Sequence, residues 1–370
     1  MRTTVAGVTV FDGQKALDGP FDVSFDESGI TGLSPAGTAP STEVTVDGAG
    51  ATLLPGLIDA HVHFRDPSEL SALARYGVTT ALDMGSWPAR FTAALRTAGC
   101  GADIRSAGTP LIGPAGPHAR IPGFPAEDRI ATPEQARRRV AARIAEGVDY
   151  VKLVLERQGG GGPDLKTAEA AVDAAHAAGL KVVAHASHTG AIALAVQAGV
   201  DILTHAPLDA GLAEQQVRAI AEQGCILVPT LTMMRGTARH HDDPEQAYAH
   251  ARTMVWALHR AGGTIVAGTD ANTQPGVPAA VPHGSSLHTE LALLVEAGLT
   301  PREALRSATS AAATAFGLAD RGSIRPGLRA DLLLVTGDPV AATDATRSIR
   351  AVWTAGRAVD AVAHDTPALP

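Results

Sequence analysis

His61 and His63 stand one residue apart at the end of an apolar run, Leu53-Leu54-Pro55-Gly56-Leu57-Ile58-Asp59-Ala60-His61-Val62-His63. In an extended strand, residues two apart point to the same face, so both imidazoles aim at one point. Four similar groups close or interrupt later apolar runs. Lys152 lies in Val151-Lys152-Leu153-Val154, and His185 ends Val182-Val183-Ala184-His185. His205 ends Ile202-Leu203-Thr204-His205, and Asp270 ends Val266-Ala267-Gly268-Thr269-Asp270. Neutral imidazole nitrogen and carboxylate oxygen are good ligands for zinc and related divalent ions. A protonated lysine is not. A desolvated lysine beside a cation has a lowered pKa, and its neutral amine can take up CO2 to form a carbamate. The two carbamate oxygens can bridge two metals. The chain uses lysine sparingly, at Lys15, Lys152, Lys166 and Lys181 only, so Lys152 inside an apolar strand is not an arbitrary positive charge.

Such a set can act only if the fold brings it to one place. Between about residues 53 and 318, apolar segments alternate with Ala-rich helical ones. The strands expected are 57–63, 78–84, 103–108, 150–155, 181–186, 202–205, 226–230 and 265–269. Helical stretches are expected over 69–76, 133–146, 168–178, 190–198, 212–223, 245–261 and 287–297. Several end at a glycine in the usual stop position, among them Gly77, Gly147 and Gly298. The strands are nearly continuous in apolar character, as strands buried on both faces should be. This pattern predicts an α/β fold, a (β/α)8 TIM barrel, whose strands carry active groups at their C-terminal ends. Short strands punctuated by Gly, Asp and Pro flank it at both ends. Residues 1–52 and 319–370 are therefore expected to form one small β-sandwich domain, with the barrel over 53–318. Gly159-Gly160-Gly161-Gly162 lacks the Lys-Ser/Thr that closes a phosphate loop and reads as a flexible connection.

Composition narrows the function classes. The formal charge is −8 and no basic run occurs, which argues against nucleic acid and anionic membranes as partners. No signal-peptide core or membrane-length apolar run is present, and Cys100 and Cys225 read as small core residues of a reducing compartment. These features predict a cytoplasmic protein acting on a small molecule; a homo-oligomer is the base-rate expectation.

The residues also carry a resemblance. Leu54-Pro55-Gly56-Leu57-Ile58-Asp59-Ala60-His61-Val62-His63 resembles the entry motif of the amidohydrolase superfamily, and Arg325-Pro326-Gly327-Leu328-Arg329-Ala330-Asp331-Leu332 resembles that family's return into its β domain. Gly268-Thr269-Asp270-Ala271, Pro282-His283-Gly284 and Leu287-His288-Thr289-Glu290-Leu291 are similar to the imidazolonepropionase-like and prolidase-like branch. The resemblance implies two divalent metal ions, most often zinc. His61, His63 and Asp270 would hold the buried ion, His185 and His205 the outer one, and carboxylated Lys152 would bridge them. Asp270 would shuttle the proton of a hydroxide held between the ions. Deaminase branches place a glutamate where His188 stands.

Further residues are expected at the mouth. By the same resemblance, His118, in a Gly/Pro-rich loop after strand three, would help polarise the substrate carbonyl. Arg65, just past the histidine pair, suits a carboxylate clamp. Arg235 after strand seven, and His283 and His288 after strand eight, are candidate substrate contacts, while Trp87 and Phe124 are candidate pocket walls. The expected activity is hydrolysis of an amide or peptide-like C–N bond in an N-acyl amino acid or dipeptide. Lactone, ester or cyclic-amide hydrolysis on the same metals is the alternative enzyme, and a non-catalytic binding relative is the alternative of another class.

Overall fold

The computed structural model describes residues 1–99 and 101–361. Cys100 and residues 362–370, which the sequence assigned to the core and to the terminal domain respectively, lie outside the described residues. The chain opens with β1 (Thr3–Val10), β2 (Phe21–Asp26), β3 (Gly29–Pro35), β4 (Val44–Asp47) and β5 (Ala51–Pro55). The alternating part begins with β6 (Leu57–Val62), α1 (Ser68–Arg75), β7 (Val78–Asp83), α2 (Ala89–Arg96) and β8 (Asp103–Ser106). It continues through α3 (Pro133–Ala145), β9 (Val151–Val154), α4 (Leu165–Ala177), β10 (Val182–His185) and α5 (Thr189–Gln197). Next come β11 (Ile202–Thr204), α6 (Glu214–Glu222), β12 (Ile226–Val228), α7 (Leu231–Ala238), α8 (Pro244–Arg260), α9 (Ser285–Glu296), α10 (Pro301–Ser307) and α11 (Ser310–Ala315). The chain returns through β13 (Leu332–Thr336), β14 (Ile349–Thr354) and β15 (Arg357–Val359).

The two ends of the chain share one sheet, ordered β15-β14-β13-β5-β1-β2-β3, with β4 also on β1. The register of β1 on β2 shifts between Val5 and Val8. β1 pairs with β4 from Thr3 to Ala6 and with β2 from Thr3 to Val8, on both sides of the shift, and then with β5 at Thr9 and Val10, so one strand feeds two layers. Val5, Val23, Phe25, Leu53, Leu332, Leu334 and Trp353 fill the space between them, with Phe25 edge-on to Trp353 at 5.2 Å.

The barrel consists of two parallel blocks, β6-β7-β8 and β12-β11-β10-β9. Single bridges join them. Leu111, beyond β8, bridges to Leu153 of β9. The eighth segment is extended backbone rather than a regular strand: Ile265 bridges to Leu227, and Ala60 N donates to Ala267 O at 3.0 Å. Gly268 makes that approach feasible, because a Cβ there would fall 2.9 Å from His61 N and 2.5 Å from Val228 Cγ1. Ile58, Leu82, Tyr150, Val183, Ile202 and Val228 pack inside the barrel with Phe316 and Leu318, which follow α11.

Helix starts follow local chemistry. Thr132 Oγ1 accepts from Gln135 N with Pro133 at the first helical position of α3, and Asp164 caps α4. Thr300 and Glu303 form a capping box on α10. No helix among the described residues is long and apolar enough to cross a membrane.

Candidate active site

The bulged strand β6 sets the first two ligands. Its register on β7 shifts between Asp59 and Val62. Ile58 and Ala60 belong to the inner cluster, but Val62 and Phe64 belong to the layer packed outside. The irregularity reverses the in–out alternation, so His61 and His63 turn inward where Val62 would otherwise point. The eighth segment delivers the third group: Asp270 N donates to His61 O and His63 N to Ala271 O, both at 2.9 Å.

The side chains converge. His61 Nε2 lies 3.2 Å from His63 Nε2. Asp270 Oδ1 stands 3.3 Å from His63 Nε2 and 3.5 Å from His61 Nε2, and the three ligand atoms all lie within 4.8 Å of one another. Asp270 Oδ1 and His61 Nδ1 are buried without a hydrogen-bond partner. Two ring nitrogens facing each other beside an unsatisfied carboxylate oxygen form a donor set that a divalent cation satisfies. Burial holds the His61 ring well below its ordinary pKa, in the neutral form a metal needs. Burial also pulls His63 down, but the adjacent Asp270 carboxylate more than reverses this and leaves it raised.

A second group stands beside the first. The rings of His185 and His205 are 4.4 Å apart, and His61 and His205 are 4.9 Å apart. Burial takes His205 down to about 3, against the pull of Asp270, and holds His185 well below its usual range. Lys152 is buried, and its Nζ donates to Thr204 Oγ1 at 2.7 Å. Burial brings its amine down to about 7, although Asp270 opposes the shift. The structure thus brings together His61, His63, Lys152, His185, His205 and Asp270.

The backbone at this end of the barrel is unusual. His205, Thr230 and Asp270 occupy the left-handed region at φ 75°, 49° and 57°. A β-branched threonine there is an outlier, and such conformations persist where the surroundings over-determine them. Thr230 shares a 2.8 Å hydrogen bond with His205 Nδ1, which fixes that ring.

Sequence reasoning passed over several supporting groups. Asp59 Oδ1 accepts from His61 N and Thr269 N, and Oδ2 accepts from Thr269 Oγ1 at 2.7 Å. It ties the first ligand strand to the eighth segment. Glu156 is buried and its Oε1 lies 3.2 Å from His118 Nδ1; the His118 ring in turn meets His185 edge-on at 4.7 Å. The glycine run after Glu156, expected as a loose connection, is a close-approach segment instead. A Cβ at Gly162 would meet Glu156 N at 2.8 Å, and one at Gly161 would meet Ala115 C at 2.4 Å. Asp59, two residues before His61, shared the parity that singled out the histidines. Glu156 directly follows the strand-four run, so its place at a strand end was a usable signal.

The other expected contacts take different places. Strand seven ends at Val228, and Arg235 lies on α7, exposed, rather than on a strand facing the mouth. The apolar run through Leu231 hid a helix start. His288 is buried, with Nδ1 2.9 Å from Thr346 Oγ1 and Nε2 2.9 Å from Tyr76 O; it anchors α9 to neighbouring elements. His283 stacks on Phe64 at 5.5 Å and its Nε2 lies 2.8 Å from His63 O, so it braces the backbone of a ligand. Arg65 does line a cleft of about 490 Å³ at the mouth, together with Trp87, whose ring is edge-on to Phe124 at 5.2 Å.

Known proteins share this organisation. An uncharacterised protein of Mycobacterium tuberculosis is 31% identical over 327 residues, spanning 78% of this chain and 80% of that protein. An imidazolonepropionase of Deinococcus deserti is 36% identical over 193 residues, 50% of this chain and 43% of that enzyme. Among solved structures, a Xaa-Pro dipeptidase with bound methionine in its active site superposes with a TM-score of 0.83 at 21% identity, covering 97% of this chain and 99% of that one. The family model described as Amidohydrolase family matches residues 52–359, and the chain belongs to that family.

Proposed function

We propose that this metal-dependent amidohydrolase hydrolyses an amide or peptide-like C–N bond in a small N-acyl amino acid or dipeptide. The observation that carries the reading is the convergence of His61, His63 and Asp270, with Asp270 Oδ1 buried beside both rings and without a hydrogen-bond partner. Those three would hold one divalent ion, zinc by the chemistry of its donors, and His185 and His205 would hold a second. Bound metal would supply Lewis acidity, polarising the scissile carbonyl and acidifying water.

The chain's own groups have separate tasks. The Lys152 amine, with its pKa brought to about 7, has a neutral fraction at neutral pH that can add CO2. The N–C bond forms, one C=O electron pair moves to oxygen and a proton leaves to solvent; the resulting carbamate would offer two oxygens that share one negative charge as metal ligands. Asp270 accepts the proton of the attacking water at its carboxylate and returns it to the leaving nitrogen. Glu156 engages His118 at Nδ1 and leaves Nε2 for the substrate carbonyl. Arg65 at the cleft is suited to a substrate carboxylate. C–N hydrolysis is in keeping with the imidazolonepropionase relative, matched over half of this chain, and with the Xaa-Pro dipeptidase that shares the fold.

The test is a panel of N-acyl amino acids and dipeptides, with matched esters and lactones, assayed before and after chelation and zinc return. Chelator-sensitive release of a free amino acid is the expected result. Faster cleavage of esters or lactones than of every amide would overturn the assignment of the bond.

A further inference from the structure

We propose that Glu290, on α9, is a positioning residue for His205: by taking the first N–H groups of α7 it frees the Thr230 hydroxyl to hold the His205 ring. The inference rests on the metal-dependent reading for what His205 does, but not for the hydrogen bonds that orient it.

The path begins just past β11. His205 N donates to Val228 O at 3.0 Å and Ala206 N to Pro229 O at 3.1 Å, so the chain leaving β12 runs beside His205 as far as Pro229. Thr230 comes next, fully buried, at φ 49° and ψ 47°. A threonine at a helix N-cap ordinarily has extended backbone, and its hydroxyl accepts from the N–H two or three positions on. Thr230 does neither. Its Oγ1 lies 2.8 Å from His205 Nδ1 and makes no capping bond to α7.

A left-handed β-branched residue that has given up its cap persists only where its surroundings hold it. Glu290 supplies both the hold and the missing cap. Its Oε1 accepts from Leu231 N at 2.8 Å, and its Oε2 accepts from Thr232 N and Thr232 Oγ1, each at 2.7 Å. The clamp thereby fixes the two residues that follow Thr230. It also occupies Thr232 N, one of the donors that a capping threonine would take. The buried Thr230 hydroxyl then finds its partner in His205. Glu290 is itself rigidly placed, because it is fully buried on one helix with Leu287, Leu291 and Leu294.

The consequence is a fixed proton on the ring. His205 Nδ1 faces the Thr230 hydroxyl oxygen at 2.8 Å and the Asp270 Oδ2 carboxylate oxygen at 3.9 Å. Both oxygens can accept, so the neutral ring keeps its proton on Nδ1. Nε2 then retains the lone pair that a metal ion takes.

The experiment compares the full-length chain with Glu290→Gln, Thr230→Val and the double variant. Glutamine keeps the length of the side chain, but its amide nitrogen cannot accept from an α7 N–H. The readouts are the histidine 15N resonances of the zinc-free chain, zinc affinity against a competing chelator, and Tm. In the wild type His205 should carry its proton on Nδ1, and Glu290→Gln should lose that preference. Affinity for the more weakly held ion should fall about 10- to 100-fold. Thr230→Val should match this loss, and the double variant should fall no further, because both changes act through one hydroxyl. A Glu290→Gln chain with a lower Tm but the wild-type His205 proton and zinc affinities would make Glu290 a helix cap only and overturn the proposal. Losses that add in the double variant, or an unchanged affinity in Thr230→Val, would do the same. Should Glu290→Gln fold poorly, Glu290→Asp draws the carboxylate back by one methylene and is read in the same way. A wild type that takes up no second ion would refute the two-ion reading, and the His205 proton in the zinc-free chain would still decide this one.

Discussion

Side chains outside the six candidate ligands determine how those ligands are held. Asp59 fixes the His61 backbone and Thr269 together through three hydrogen bonds. Replacing a group that orients ligands lowers metal affinity or activity by about 10- to 100-fold. Asp59→Asn is expected to fall in that range when zinc affinity is measured against a competing chelator; an unchanged affinity would show that the bonds are incidental. Glu156 acts one step further out, through His118. Glu156→Gln should lower kcat about tenfold or more while leaving KM nearly unchanged. Glu156→Asp should restore part of the loss, which a purely structural role would not give. Lys152→Ala removes the only lysine within the group. If metal content and turnover both survive that change, the bridging role is wrong.

At the level of elements, α7 shows how the site imposes costs that the scaffold offsets. Thr230 stands at the helix N-cap, where its hydroxyl would ordinarily accept from the first turn. It is committed to His205 instead, and no side-chain cap forms. Glu290 from α9 replaces it: its carboxylate accepts from Leu231 N, Thr232 N and Thr232 Oγ1. Removing it by Glu290→Ala strands buried donors and should cost about 1–3 kcal/mol, read as a lower Tm. Burial raises Glu290 from 4.5 to about 7, outweighing those three bonds. An acid raised on folding contributes stability that is fully present below its unfolded pKa and is lost as pH rises through its folded one. Wild-type Tm should therefore decline more between pH 4.5 and 7 than that of Glu290→Ala; parallel declines would contradict the assignment. The helix α7 also shows where the sequence was hard to read. Ile226-Leu227-Val228-Pro229-Thr230-Leu231 looks like one strand, and nothing in it announces a left-handed threonine that ends the strand and starts a helix. The short α11, Ser310–Ala315, likewise lacks a long amphipathic period. By contrast, the apolar runs that end in His61, His185, His205 and Asp270 carry both strand and site, because buried parallel strands keep their polar groups for their ends. Glu156 escaped notice because one acid after a strand reads as solvated until the glycine run is seen folded over it.

For the molecule as a whole, both chain ends form one sheet against a barrel whose open end collects five histidines, a lysine and three buried acids. Grouping so many polar side chains in an interior is costly unless they are matched. A bound cation would match them, and so should stabilise the folded chain by mass action. Zinc is expected to raise the Tm and chelation to lower it; a Tm indifferent to both would indicate a site that holds no ion. The same grouping explains why the substrate was the least legible part of the sequence. The cleft is assembled from residues distant in the chain: Arg65 stands out beside the histidine pair, but Arg90 and Gln274 carry no such signal in their own segments. The most direct test of the central claim is metal content per chain, measured on the zinc-reconstituted protein and on Asp270→Asn, together with amide hydrolysis by each. Wild type should retain about one ion or more per chain and turn over, with both lost in the variant. A wild-type chain that holds well under one ion, or one that hydrolyses amides equally well after complete metal removal, would contradict it.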